Sequence, residues 1–112
     1  MGISTHILDT HLGRPAANVP VALARALRND WVLLHSDHTD ADGRCQQLLP
    51  RDQPLQPGTY RIHFATAEYY AQQGVDGLYP FVEIVFLVNS SDRHFHIPLL
   101  LTANGYTTYR GS

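Results

Sequence analysis

The sequence predicts an all-β sandwich of seven or eight strands with one short helix, on three observations. Gly and Pro punctuate the chain at Gly13-Arg14-Pro15, Asp42-Gly43, Gln56-Pro57-Gly58, Gln73-Gly74, Leu78-Tyr79-Pro80 and Asn104-Gly105. The runs between them are short and lean toward strand, a spacing that suits a sandwich or barrel. The clearest of these runs alternate with period two, apolar on one face only. The 112 residues leave room for one domain, 1–112, without linker, low-complexity tract or internal repeat. A chain of this length buries roughly two thirds of its unfolded surface, so it needs no disulfide scaffold.

Strands are expected at Ile3 to Asp9, Val19 to Leu27, Trp31 to Asp37, Thr59 to Ala65, Phe81 to Val88, Arg93 to Leu101 and Tyr106 to Tyr109. A brief further strand follows Gly43. In the first strand Ile3, Thr5 and Ile7 fall on one side and Ser4, His6 and Leu8 on the other. Val21 to Leu27 is ambivalent, because its alanines and leucines favour helix while its flanking turns favour strand. Asp40-Ala41-Asp42-Gly43-Arg44 has the look of a calcium loop but lacks the downstream glutamate and flanking helices of an EF-hand. A tight turn delivering Arg44 is the better reading. Thr66 to Gly74 reads as the one helix, with Thr66 as its cap and Gly74 suited to a left-handed stop.

From Arg93 to Leu101, Phe95, Ile97, Leu99 and Leu101 share one face and belong in the core. His94, His96, Pro98 and Leu100 occupy the other. Two strands thus present His beside Leu on a face outside the core, the mark of a site or a subunit contact.

Composition excludes several classes. At 44% hydrophobic, 16% charged and 10% aromatic residues, the chain is neither disordered nor collagen-like. No apolar run approaches the roughly 20 residues of a membrane-spanning helix. The net charge is -2, and the eight basic residues, all arginines, are scattered from Arg14 to Arg110. That distribution offers no basic face for nucleic acid. The single cysteine, Cys45, has no partner for an internal disulfide, and the amino terminus lacks a secretory pattern, so a cytoplasmic location is expected. Cys45 has no Cys-His-Asn constellation around it and is read as packing.

Seven histidines hint at acid–base or metal chemistry. His94-Phe95-His96 sets two imidazoles on one strand face about 7 Å apart, a spacing zinc enzymes use. No HExxH or paired CxxC motif supplies the remaining ligand, so no metal is assigned. Taken alone, His6 reads as a surface or hydrogen-bonded histidine, Arg44 as either solvated or an anion clamp, and Tyr109-Arg110-Gly111-Ser112 as a fraying end.

Together these residues resemble the transthyretin-related 5-hydroxyisourate hydrolases. His6-Ile7-Leu8-Asp9, Gly13-Arg14-Pro15-Ala16 and Val19 look like that family's amino-terminal block. His96-Ile97-Pro98-Leu99-Leu100-Leu101 and Gly105-Tyr106-Thr107-Thr108-Tyr109-Arg110-Gly111-Ser112 look like its carboxy-terminal block. The Asp42-Gly43-Arg44 turn and the helix with Tyr69-Tyr70 fall in the same order, so the likeness covers almost the whole chain. Transthyretin, a hormone carrier of the same fold, lacks the Tyr-Arg-Gly-Ser ending and the histidines at these places. Ala103-Asn104 departs from the family, which commonly has a larger polar residue or Pro followed by an aromatic there.

The resemblance implies a transthyretin-like sandwich assembled as a homotetramer, a dimer of dimers with substrate pockets at the dimer–dimer interface. It implies hydrolysis of 5-hydroxyisourate to 2-oxo-4-hydroxy-4-carboxy-5-ureidoimidazoline in urate catabolism, with no cofactor. His6, Arg44 and His96 would be catalytic, with Tyr109 and Ser112 binding substrate in the same pocket. Either imidazole could take a proton from water. Arg44 stays protonated and could only hold substrate or stabilise charge. Two alternatives remain at this stage: a carrier of an apolar ligand, and zinc hydrolysis through His94 and His96.

Overall fold

Burial alternates along the expected strands, and that alternation builds two sheets that share one core. A computed structural model describes residues 2–111. The elements run β1 (Ile3–Asp9), β2 (Arg14–Pro15), β3 (Pro20–Leu27), β4 (Asp30–His38), β5 (Arg44–Cys45), β6 (Gly58–Phe64), α1 (Thr66–Ala71), β7 (Val82–Val88), β8 (Phe95–Thr102) and β9 (Gly105–Thr108). One sheet has the order β2-β1-β8-β9 with β5 also on β1; the other is β4-β3-β6-β7.

The pairing of β1 with β8 is parallel and joins the two ends of the chain. A parallel pair needs a long crossover, and here the entire second sheet is laid down between them. The other edge of β1 is shared: β5 pairs at Thr5 and His6, β2 at Leu8 and Asp9. Ile3, Ile7, Phe95, Ile97, Leu99 and Leu101 from the first sheet meet Val21, Leu23, Tyr60, Ile62, Phe64 and Val82 from the second. Burying a side chain of this kind contributes about 1.5–3 kcal/mol, which is what holds the sheets together.

Val21 to Leu27 is strand. Val21 and Leu23 are buried at period two between β4 and β6, and that tertiary placement overrides helix propensity. β4 carries an extra residue opposite the Leu23–Ala24 step, a bulge. The expected brief strand after Gly43 is β5, whereas β2 arises within what the sequence marks only as a turn.

Thr66 does not cap the helix. Ala65 is the N-cap residue and no side chain caps it, while Thr66 is buried in the first turn. Ala65 N still donates to Pro20 O at 2.9 Å, so sheet pairing runs up to the helix and draws Thr66 into it. The helix is also shorter than expected, stopping at Ala71. Gly74, at φ +68, closes it: Val75 N donates to Tyr70 O and Gly74 N to Ala71 O, the paired bonds of a Schellman stop.

Asp9 is 1% exposed, yet satisfied. Its Oδ1 accepts from Leu12 N at 3.0 Å and its Oδ2 from the Tyr69 hydroxyl at 2.7 Å, tying α1 to the end of β1. In the β8–β9 turn, Ala103 packs on the core and its carbonyl accepts from Leu78 N. No helix of the described residues is long and apolar enough to cross a membrane.

Candidate active site

The turn before β5 is held by Asp40. Its Oδ1 accepts from Asp42 N and Arg44 N, both at 2.9 Å, while Asp40 N donates to Arg44 O and Gly43 N to Asp40 O. Gly43 has φ +75, and a Cβ there would stand 2.5 Å from Ile7 O. Only glycine allows this turn to lie so close against β1. The turn delivers Arg44 opposite His6 in the β1–β5 register.

On the other side of β1, Ser4 is the register partner of His96. Adjacent strands lie about 4.8 Å apart, so β5, β1 and β8 bring Arg44, His6, Ser4 and His96 into neighbouring rows outside the core. Ser4 Oγ lies 2.7 Å from His96 Nδ1 and 2.8 Å from His94 Nε2, bridging the two imidazoles. His94 itself precedes β8 rather than belonging to it. His6 Nε2 lies 3.0 Å from Asp42 O. A carbonyl only accepts, so Nε2 is the nitrogen of His6 that carries a proton.

Ser4, Thr5, Arg44, Gln46, His94 and His96 line an open pocket of about 320 Å³. Gln46 and His94 are shared with an adjoining pocket of about 470 Å³ reaching Arg51 and Gln53. Burial first, then the Arg44 guanidinium and the His6 and His94 imidazoles, hold His96 below the usual 6.5 of an imidazole. His96 is therefore neutral near pH 7. It is close to fixed charge without being ionised, a state suited to taking a proton.

Among the described residues no group of three or more His, Cys, Asp or Glu side chains is arranged to hold a metal ion. Within one chain Tyr109 is not brought to the pocket of Arg44 and His96. It is 56% exposed and borders a separate groove with Ile84, Phe86, Phe95, Ile97 and Arg110. Ser112 lies outside the described residues. Gly111, next to it, donates its N–H to His96 O at 2.8 Å and packs so tightly on the His96 ring that a Cβ would clash. The tail thus returns to the imidazole although Tyr109 does not.

Cys45 is buried, and its thiol lies 3.7 Å from Asp37 Oδ2. Burial and the Asp37 carboxylate push its pKa up to about 11, consistent with packing. Ser4, Thr5 and Gln46 are the pocket residues that residue type alone did not single out. The signal for Ser4 was the alternation of β1, which sets it on the face of His6.

Fold and site together define a small two-sheet β-sandwich with imidazoles and a guanidinium gathered on the outer face of one sheet. The chain belongs to the HIUase/Transthyretin family, whose model matches residues 3–111. It is 43% identical over 112 aligned positions to the 5-hydroxyisourate hydrolase of Mus musculus, covering 98% of this chain and 94% of that protein. The 5-hydroxyisourate hydrolase of Klebsiella pneumoniae superposes with a TM-score of 0.86 at 34% identity, each chain covered in full. Sea bream transthyretin in complex with thyroxine superposes with a TM-score of 0.92 at 29% identity, covering 99% of this chain and 95% of that one. Backbone likeness thus extends to a hydrolase and to a ligand carrier, and the site must decide between them.

Proposed function

We propose that residues 1–112 form a single hydrolase domain that opens 5-hydroxyisourate to 2-oxo-4-hydroxy-4-carboxy-5-ureidoimidazoline. The observation that carries this reading is the register of β1, with Arg44 opposite His6 on one side and His96 opposite Ser4 on the other. Water loses a proton to a neutral imidazole as its oxygen adds to the ring carbonyl. The acyl carbon–nitrogen bond then breaks, and the leaving nitrogen takes up a proton. His96 suits the first step because its surroundings keep it neutral. Arg44 stabilises negative charge on the carbonyl oxygen. His6, with its proton on Nε2, orients substrate or supplies the later proton. Tyr109 and Ser112 bind substrate in the same pocket, which forms at the interface with a second copy of the chain.

The functional unit in this reading is a homotetramer, a dimer of dimers. Supporting it, β7 and β9 are sheet edges with one side unpaired, Val85, Leu87 and Tyr106 are exposed along them, and Leu8 and Leu100 flank the histidines. A cytoplasmic location is favoured by the lone unpaired cysteine.

The test is the ultraviolet absorbance of 5-hydroxyisourate generated in the cuvette. The protein accelerates its disappearance, and exhaustive chelation leaves that rate unchanged. Saturable binding of an apolar ligand with no acceleration would replace this reading with a carrier. Loss of activity on chelation, restored by zinc, would favour a metal held by His94 and His96.

A further inference from the structure

Ser4 has one hydroxyl proton and two imidazole nitrogens within 2.8 Å of its oxygen. It can donate to only one of them and must accept from the other. The protonation states of His94 and His96 are therefore tied through a single atom. Among the described residues, the charged and titratable groups that face His96 are Arg44 on β5, His6 on β1 and His94 ahead of β8, all of them basic. No carboxylate among them is available to fix its tautomer, as an aspartate does in a serine-protease triad. Ser4 is 7% exposed and Gly111 presses on the His96 ring, so neither partner is free to turn away.

The geometry points to Ser4 and His94 as positioning residues for His96: the Ser4 hydroxyl accepts from His96 Nδ1–H and donates to His94 Nε2, leaving the His96 lone pair on Nε2. This rests on the hydrolytic reading, in which that nitrogen takes the proton from water. With the opposite direction, Ser4 would donate to His96 Nδ1, a neutral His96 would carry its proton on Nε2, and it would have no lone pair for the water. His94 decides the direction. Neutral, with its proton on Nδ1, it accepts from Ser4 and keeps His96 competent. Protonated, it can only donate, which turns the Ser4 proton toward His96 and switches the base off. Acidification silences His96 by its own protonation.

The test compares Ser4→Ala, Ser4→Thr and His94→Phe with the parent enzyme, by steady-state kinetics across pH and by nitrogen NMR of isotope-labelled histidine. In the parent, His96 is expected as the Nδ1–H tautomer. Ser4→Ala is expected to lower kcat by about 10- to 100-fold, the range for outer partners that orient a metal-bound imidazole, with KM near the parent value. Ser4→Thr, which keeps the hydroxyl, restores kcat. His94→Phe leaves Ser4 without its acceptor and mixes the two His96 tautomers. A parent His96 carrying its proton on Nε2 overturns the proposal, as does full kcat in Ser4→Ala. Should Ser4→Ala fold poorly, the parent spectrum and His94→Phe still decide. Activity retained in His96→Ala would instead strike at the hydrolytic reading itself, and the tautomer spectra would continue to test the hydrogen-bonded chain.

Discussion

His6 and Arg44 are direct partners across the antiparallel β1–β5 pair, while Ser4, two residues before His6, is the partner of His96 on β8. One strand therefore gathers chemistry from both its neighbours. A residue lost from any of the three rows should cost turnover and spare the fold, since His6, Arg44 and His96 all lie outside the core.

His6→Ala and His96→Ala are each expected to lower kcat by about 10²- to 10⁴-fold, the usual worth of a positioned acid or base. Arg44→Lys keeps the charge but loses the fork, and a loss of about 10²- to 10³-fold is expected, as for one oxyanion donor. Absorbance kinetics measures each, with circular dichroism matching the parent. Parent rates in all three would remove the catalytic assignment.

On the proposed mechanism activity follows the neutral form of His96, whose pKa is held below 6.5 by burial, Arg44, His6 and His94. The acid limb of kcat/KM is expected to have its midpoint below 6.5. The linked effect on stability has a definite sign. Between the folded value and 6.5 the unfolded chain binds more protons, so this group makes stability rise with pH through that window. Rate profiles and denaturant melts across pH measure the two effects separately. A midpoint above 6.5 would contradict the assignment.

Gly43→Ala must place a Cβ at φ +75 and 2.5 Å from Ile7 O. The left-handed conformation alone costs about 1–2 kcal/mol, and relief of the clash moves the turn that carries Arg44. Lower denaturation midpoints together with a reduced kcat/KM are expected. A variant that loses neither would show that the turn does not set Arg44.

Tyr69→Phe removes the donor to Asp9 Oδ2 and leaves a carboxylate oxygen buried without it. The expected cost is about 1–3 kcal/mol, read from chemical denaturation, with kcat close to the parent because neither group touches the pocket.

Cys45, with its thiol raised to about 11, holds almost no thiolate at neutral pH. Alkylation of the folded protein is expected to be slow and to accelerate sharply on unfolding. Rapid labelling of the native protein would show the thiol to be more open than its burial implies.

The faces of β1 and β8 are legible from local pattern, because alternation is a property of neighbouring residues. Ile3 and Ile7 are core and His6 is not; Phe95, Ile97 and Leu99 are core and His96 is not. The Asp42-Gly43-Arg44 turn is legible for the same reason: its chemistry lies within five residues. Thr66 misleads because the sheet runs into the helix from Pro20, far off in sequence. Val21 to Leu27 is undecided locally because alanine and leucine suit a helix until two neighbouring strands bury alternate residues.

By itself, then, the sequence determined which residues face outward and that a tight turn presents Arg44. Only the tertiary structure decided that His6 meets Arg44, that Ser4 stands between His94 and His96, and that Tyr109 borders a different groove within the chain. The reason is physical: side-chain direction follows from the backbone of one strand, whereas register between β1, β5 and β8 is set by long-range packing of the whole sandwich.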